Sequence, residues 1–462
     1  MRADTFRRAF EAGLRRDAAA AGCAEYRPVA DPGHDLVRAR DGAGGWAGLL
    51  DLTAEHLASG RDGEAAASLQ AAAPLAPLDA PADLLEAAAA VLRVATPDEA
   101  MAVLVSLKPL YLAYGEGEAF DRAWTVVQGG DDPGVDAARY RKKIIRSKLL
   151  ALLALACEAS GQWPAAVERL TPVIEGRDLL EESHCELARA VGHAFRAGEH
   201  LLFKAPGPPR VFDLFPYNGE LMLLKIKLAQ MAPWVDQFVI VEARKTFTGN
   251  DKPLYFPDHR AEVADYEGKI RHVVIEEFPA SLTSAWAREF YQRDFAARGL
   301  SGDCAPDDLV LLSDVDEILE PGPVMSFDGL ATSAELRTFR MYLNCELVRG
   351  KRFRKTGVVR AGLLAANGSS YLRLGATRYN RRKSLRGAGW HFSSVGGVDA
   401  LELKLQSYSH AEYAHIDRDS IAGDLEAARR GQLWDDHVRR EIDDSFPAYI
   451  RDNQDLLAPF IL

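Results

Sequence analysis

The hydrophobic pattern changes its period once along the chain. Up to about residue 205 the apolar positions recur with helical spacing, as in GWAGLLDLTAEHLASG (45–60), PADLLEAAAAVLRVA (81–95) and KKIIRSKLLALLALACEASG (142–161). Alanine and leucine dominate and few β-branched runs interrupt them, which favours helices. The proline-rich stretch APGPPR (205–210) breaks this pattern. Beyond it, short apolar runs alternate with helical stretches. VFDLF (211–215), QFVIVEA (237–243), KIRHVVIEE (269–277) and DLVLLSD (308–314) read as buried strands. Glu220–Met231, capped by Asn218, and Ser284–Leu300, ended by Gly299, read as helices between them. Such alternation predicts an α/β fold with a mostly parallel or mixed sheet flanked by helices. Ligands then bind beyond the carboxyl ends of the strands. The expected domains are a helical one over 1–205, an α/β one over 206–425 and a C-terminal helical extension over 426–462 packed on it.

The helical half has one hairpin of recognisable shape. In LLALACEASGQWPAAVERLTPVIE (152–175), small residues flank the Gly161 turn. This resembles a tetratricopeptide-type pair, and HLASGRDGEAAASLQAA (56–72) looks like a weaker copy. An irregular helical bundle is the alternative. Composition narrows the class further. A net charge of -11 argues against a general nucleic-acid binder. The five cysteines are dispersed, with no CxxC pair, so a cysteine-rich zinc site is excluded and a reducing compartment fits. Neither a signal-peptide core nor an apolar run long enough to span a membrane is evident, so the expected location is cytoplasmic, with room for work at the inner face of a membrane.

The chemistry concentrates in LVLLSDVDEILEPG (309–322). Asp314 and Asp316 are two apart, so on an extended backbone they share one side. Paired carboxylates repel unless something positive sits between them, and a hard divalent cation that also meets substrate phosphates fits that need. A solvated turn is the bland alternative. A second signal is the run Arg349–Arg386, with twelve Lys or Arg and no Asp or Glu. It reads either as a solvated basic face or as a diphosphate-binding segment.

Six blocks then identify a family. VFDLFPYNGELMLLKIKL (211–228), VDQFVIVEARKTFTGNDKPLYF (235–256), AWAREFYQRDFAARGL (285–300), DDLVLLSDVDE (307–317), GWHFSSVGG (389–397) and KLQSYSHAEY (404–413) closely resemble glycosyltransferase family 17, the β-1,4-mannosyl-glycoprotein β-1,4-N-acetylglucosaminyltransferases. The resemblance implies a GT-A-like domain, a nucleotide-sugar donor with UDP-N-acetylglucosamine as precedent, and an inverting transfer to a glycan or glycoconjugate hydroxyl. By resemblance to enzymes with a DxD motif, Asp316 would bind a cation, manganese or magnesium, while Asp314 would contact the ribose or hold the cation through water. His391 and His410 are either further ligands or hydrogen-bonded structural histidines. Glu242, Asn218, Glu220 and Arg293 are candidate donor contacts, each with a structural alternative: a local ion pair for Glu242, helix capping for Asn218 and Glu220, a salt bridge to Glu289 for Arg293. An inverting transfer needs a base for the acceptor proton. Asp399 is preferred to Glu412 for that role. The helical half would recruit a protein partner or extend the acceptor groove. The competing readings are an inactive glycan- or protein-binding scaffold and another nucleotide-sugar or phosphate enzyme.

Overall fold

A computed structural model describes residues 46–73, 163–167, 181–195, 201–348, 353–379, 384–407, 416–433 and 436–462, with single positions elsewhere in the first hundred or so residues. The chain divides into two compact units, Met1–Arg196 and Ala197–Leu462. The division therefore lies ahead of the proline-rich stretch. Residues 201–210 run along the second unit, where the Lys204 N–H donates to Cys304 O and the Arg210 N–H to Asp308 Oδ1.

In the first unit, α1 (Trp46–Ala58) and α2 (Asp62–Ala72) form a helical pair. Gly60, with φ of 69°, turns the chain between them, and Ala65, Ala66, Leu69 and Ala72 are buried alongside Leu50 and Leu57. Another helix among the described residues of this unit is α3 (Glu181–Ala194). One pair does not make a repeat, and most of the 152–175 hairpin lies outside the described residues.

The second unit is built on a ten-stranded mixed sheet. Strands β1 (Val211–Pro216), β2 (Gln237–Ala243), β3 (Ile270–Ile275) and β4 (Leu309–Leu312) are parallel, in the order β4-β1-β2-β3. On the far side of β4 the sheet turns antiparallel through β8 (Phe353–Arg360), β6 (Ala331–Arg340), β7 (Cys345–Leu347) and β10 (His437–Arg439). Strand β5 (Glu317–Leu319) pairs with β9 (Gly389–Ser393), which runs parallel to β6. Gly389 is required there: a Cβ would lie 2.1 Å from Ile318 O, and its φ is 136°. A mixed sheet flanked by helices is consistent with a GT-A-like fold.

Alternation assigns the faces of the parallel strands. Val211, Phe215, Phe238, Ile240, Leu309 and Leu311 join the core cluster with helix α4 (Leu221–Met231). Val239 and Val273 meet Gly299 instead, where a Cβ would stand 2.5 Å from Val239 Cγ1. Gly299 thus permits close helix–sheet approach rather than ending an α-helix. Helix α5 itself spans Ala285–Phe295, capped by Ser284, whose Oγ accepts from the Ala287 N–H. The α4 cap also differs from expectation. Glu220, not Asn218, is the N-cap, and its carboxylate accepts the Asn218 N–H at 2.9 Å. The C-terminal segment contributes a strand as well as short helices. β10 pairs with β7, and Phe446, Ile450 and Leu457 enter the main core.

Candidate active site

A cleft of about 360 Å³ opens at the carboxyl ends of the parallel strands. It is lined by Asn218 and Glu220 after β1, Thr246 after β2, and Asp314 and Asp316 after β4. Helix α5 adds Glu289 and Arg293. Arg373 comes from α6 (Ser369–Tyr379), His391 from β9 and Lys404 from α7 (Gly397–Ser407).

The Asp pair does not lie on an extended backbone. Residues 313–316 turn between β4 and β5, closed by the Glu317 N–H donating to Asp314 O at 3.0 Å. The two carboxylates consequently meet different cations. Asp314 lies between Arg293 Nη1 at 2.7 Å and Arg373 Nη2 at 2.9 Å. Burial works against its ionisation, but the two guanidinium groups outweigh it and hold the carboxyl well below its usual range. Asp316 accepts from Lys404 Nζ at 3.0 Å, and His391 Nε2 lies 3.7 Å from its other oxygen. The positive charge that the pair demands is supplied by the protein.

The turn is braced from beneath by a network buried within the α4 face. Lys227 Nζ is fully buried and contacts Asp213 Oδ2 at 2.9 Å, Ser313 Oγ at 3.0 Å, Asp314 O at 3.1 Å and Glu317 O at 2.7 Å. Ser313 Oγ donates to Asp213 Oδ1. Helix α5 braces the turn from the other face. Arg293 bridges Glu289 and Asp314, while its neighbour Asp294 caps α6 by accepting the Ser370 N–H at 2.8 Å. Helix α6 carries Arg373, which also bonds Leu312 O and Glu317.

Asp316, Glu317 and His391 form a cluster whose ligand atoms lie within 4.8 Å of one another. Burial pushes the His391 ring down to about 4, so it is neutral near pH 7, and among the described residues its Nδ1 has no hydrogen-bond partner. Burial pushes the Glu317 carboxyl up to about 8; Thr356 Oγ1 donates to one of its oxygens at 2.6 Å. With Glu317 deprotonated, two carboxylates and a neutral imidazole are a donor set that can hold a divalent cation. The cluster is compatible with such a site, and Asp316 and His391 are its cleft-facing members.

Other candidates lie elsewhere. Glu242 is buried outside the cleft lining, its carboxylate accepting from the Tyr255 and Phe256 N–H groups at 2.8 and 3.0 Å and contacting His272 Nε2 at 2.9 Å. Neither Arg244 nor Lys245 is its partner; they pair with Glu276 and Asp251. Asp399 stands at the start of α7, paired with Arg418 and 86% exposed, also outside the lining. His410 and Glu412 lie outside the described residues. Of the basic run, Arg373 and Lys355 line the cleft. Arg354 and Arg360 are structural, bonding Glu335 and the carbonyls of Gly329 and Asp307.

Residues 198–423 match the sequence profile of Glycosyltransferase family 17. This part of the chain is similar to glycosyltransferase family 17 domains. Among curated proteins, the β-1,4-mannosyl-glycoprotein 4-β-N-acetylglucosaminyltransferases of Homo sapiens and Rattus norvegicus are each 30% identical over 117 residues, and that of Mus musculus is 29% identical over the same length. The match covers 24% of this chain and 22% of each relative. No solved structure matches. The domain and the metal-compatible cluster together support a glycosyltransferase-like enzyme. Among the described residues no helix is long and apolar enough to cross a membrane.

Proposed function

We propose that the chain is an inverting, divalent-metal-dependent glycosyltransferase. It transfers a sugar, N-acetylglucosamine from UDP-N-acetylglucosamine as first choice, to a hydroxyl of a glycan or glycoconjugate. The observation that carries this reading is the Asp314–Asp316–His391 grouping at the strand ends of a domain similar to family 17, ringed by Arg293, Arg373 and Lys404. A divalent ion held by Asp316 and His391 would act as a Lewis acid on the departing diphosphate. The arginines and Lys404 supply fixed positive charge in the same cleft, where it acts without reorganisation.

The acceptor proton needs a carboxylate inside the cleft, and Asp399 is outside it. Glu220 meets the requirement. It lines the cleft, burial raises its carboxyl above the usual range, and its bonded partner is a backbone N–H. A raised carboxyl is a better base near neutral pH than an ordinary one. The tetratricopeptide-like reading of the first unit makes it the partner- or acceptor-binding half, and the expected location is cytoplasmic or at the inner face of a membrane. Incubation of the purified chain with a panel of nucleotide sugars and oligosaccharide acceptors, with and without manganese, tests the activity by mass spectrometry. Transfer of one sugar, abolished by chelation, is expected. Hydrolysis of the donor without transfer across the acceptor set would refute the assignment.

A further inference from the structure

We propose that Lys404 is an internal counter-cation that competes with the divalent ion for Asp316, so that metal and diphosphate bind cooperatively. The inference rests on the donor-site reading above and deepens it.

The Asp316 side chain is 5% exposed, and its two oxygens face Lys404 Nζ at 3.0 Å and His391 Nε2 at 3.7 Å. An ammonium at that distance occupies the surroundings in which a metal ligand must act. A divalent ion brought to the same carboxylate is repelled by it at a separation where screening is weak. The three cations that contact the Asp pair, Arg293, Arg373 and Lys404, differ in how firmly they are held. Arg293 is tied to Glu289 and Asp314, and Arg373 to Leu312 O, Asp314 and Glu317. Lys404 donates to Asp316 alone among the described residues, and its side chain is 31% exposed. It is the cation that can leave, on a flexible stem that an arginine fork lacks. A diphosphate entering the cleft offers it another anion to pair with. The ion then binds a vacated carboxylate, and by linkage each ligand strengthens the other. Without the diphosphate, metal affinity is reduced by the work of displacing the lysine.

The test is manganese titration by calorimetry on the full chain and on Lys404→Met, each with and without uridine diphosphate. The methionine keeps the stem's length and removes the charge. Wild type should bind manganese weakly alone and much more tightly with the nucleotide. Lys404→Met should bind manganese alone at least tenfold more tightly, and the enhancement by the nucleotide should shrink by a similar factor, on the scale by which a close opposite charge shifts a carboxylate's proton affinity. A damaged site would lose metal affinity, so a gain separates competition from a merely structural role. Lys404→Arg, which keeps the charge, should retain the weak binding. Equal manganese affinity and equal enhancement in wild type and Lys404→Met overturn the role of the lysine and leave the donor site standing. No manganese binding in either protein, with or without nucleotide, overturns both.

Discussion

Replacing Lys227 with methionine isolates the network beneath the Asp turn. The ammonium is fully buried and reaches one carboxylate, one hydroxyl and two carbonyls. Its removal leaves Asp213, itself fully buried, with only Ser313 Oγ as a donor among the described residues. Breaking a buried pair on one side is expected to destabilise by about 3–5 kcal/mol. The loss is capped because burial already raises the Asp213 carboxyl, despite Lys227, so the orphaned group takes a proton instead of staying charged. The double variant Lys227→Met/Asp213→Asn removes both charges and should recover a large part of that stability. It should not recover transfer activity, since the Asp314 and Glu317 carbonyls still lack their donor. Scanning calorimetry of the three proteins reads the stability, and kcat/KM reads the turn. A Lys227→Met loss below about 1 kcal/mol, or a double variant no better than the single, would refute the reasoning.

Three further outcomes are expected. Asp316→Asn should lower kcat/KM by roughly 10²-fold or more and weaken manganese-dependent donor binding in parallel; values within twofold of wild type for both would remove Asp316 from the donor site. Glu220→Gln should lower kcat by roughly 10²-fold, the general-base range, while calorimetric donor affinity stays within a few fold; a matching loss of donor affinity would make it a binding residue instead. Asp294→Asn tests a pH dependence. Burial raises the Asp294 carboxyl to about 7, against about 4 when unfolded. Its contribution to stability is therefore fully present below about pH 4 and lost as pH rises through about 7. Asparagine keeps the oxygen that accepts the Ser370 N–H, so the melting temperature of the variant relative to wild type should climb between pH 4 and 7 and level off above about 8; a difference that does not change with pH would contradict this.

The parallel strands were legible because each is a short, mostly apolar run, and β1 to β4 fall within the runs read from the pattern, apart from Pro216 at the end of β1. The antiparallel half was not. Strand β8, FRKTGVVR, sits in the basic run and was read as charge, because its cations mask its alternation. Lys227 carried a signal that went unread: it is three residues past Leu224 and four before Met231, on the buried face of α4. Asp213 likewise interrupts VFDLF. A charge inside each of two apolar runs suggests a buried pair, but only the fold brings them within 2.9 Å. The Asp pair was found, though its geometry was not. Spacing of two implies a shared side only on an extended chain, and the Asp314–Glu317 turn sends the carboxylates to separate cations.

Helix α5 links the fold to the chemistry more directly than the Asp turn does. Adjacent residues on a helix point about 100° apart. Arg293 therefore reaches the cleft and Asp314, while Asp294 reaches sideways to the first turn of α6. That second contact fixes the helix that delivers Arg373 to the opposite oxygen of Asp314. Gly368, with φ of 72°, lets the chain enter α6 so tightly that a Cβ would lie 2.9 Å from Asp294 Oδ2. Both guanidinium groups thus take their positions from one helix, and a displacement of α5 moves them together. In the proposed transfer, charge fixed in this way would stabilise a departing diphosphate without rearranging as the bond breaks. Lys404, on a different helix and with Asp316 as its one hydrogen-bond partner among the described residues, is the cation that the proposed exchange would move.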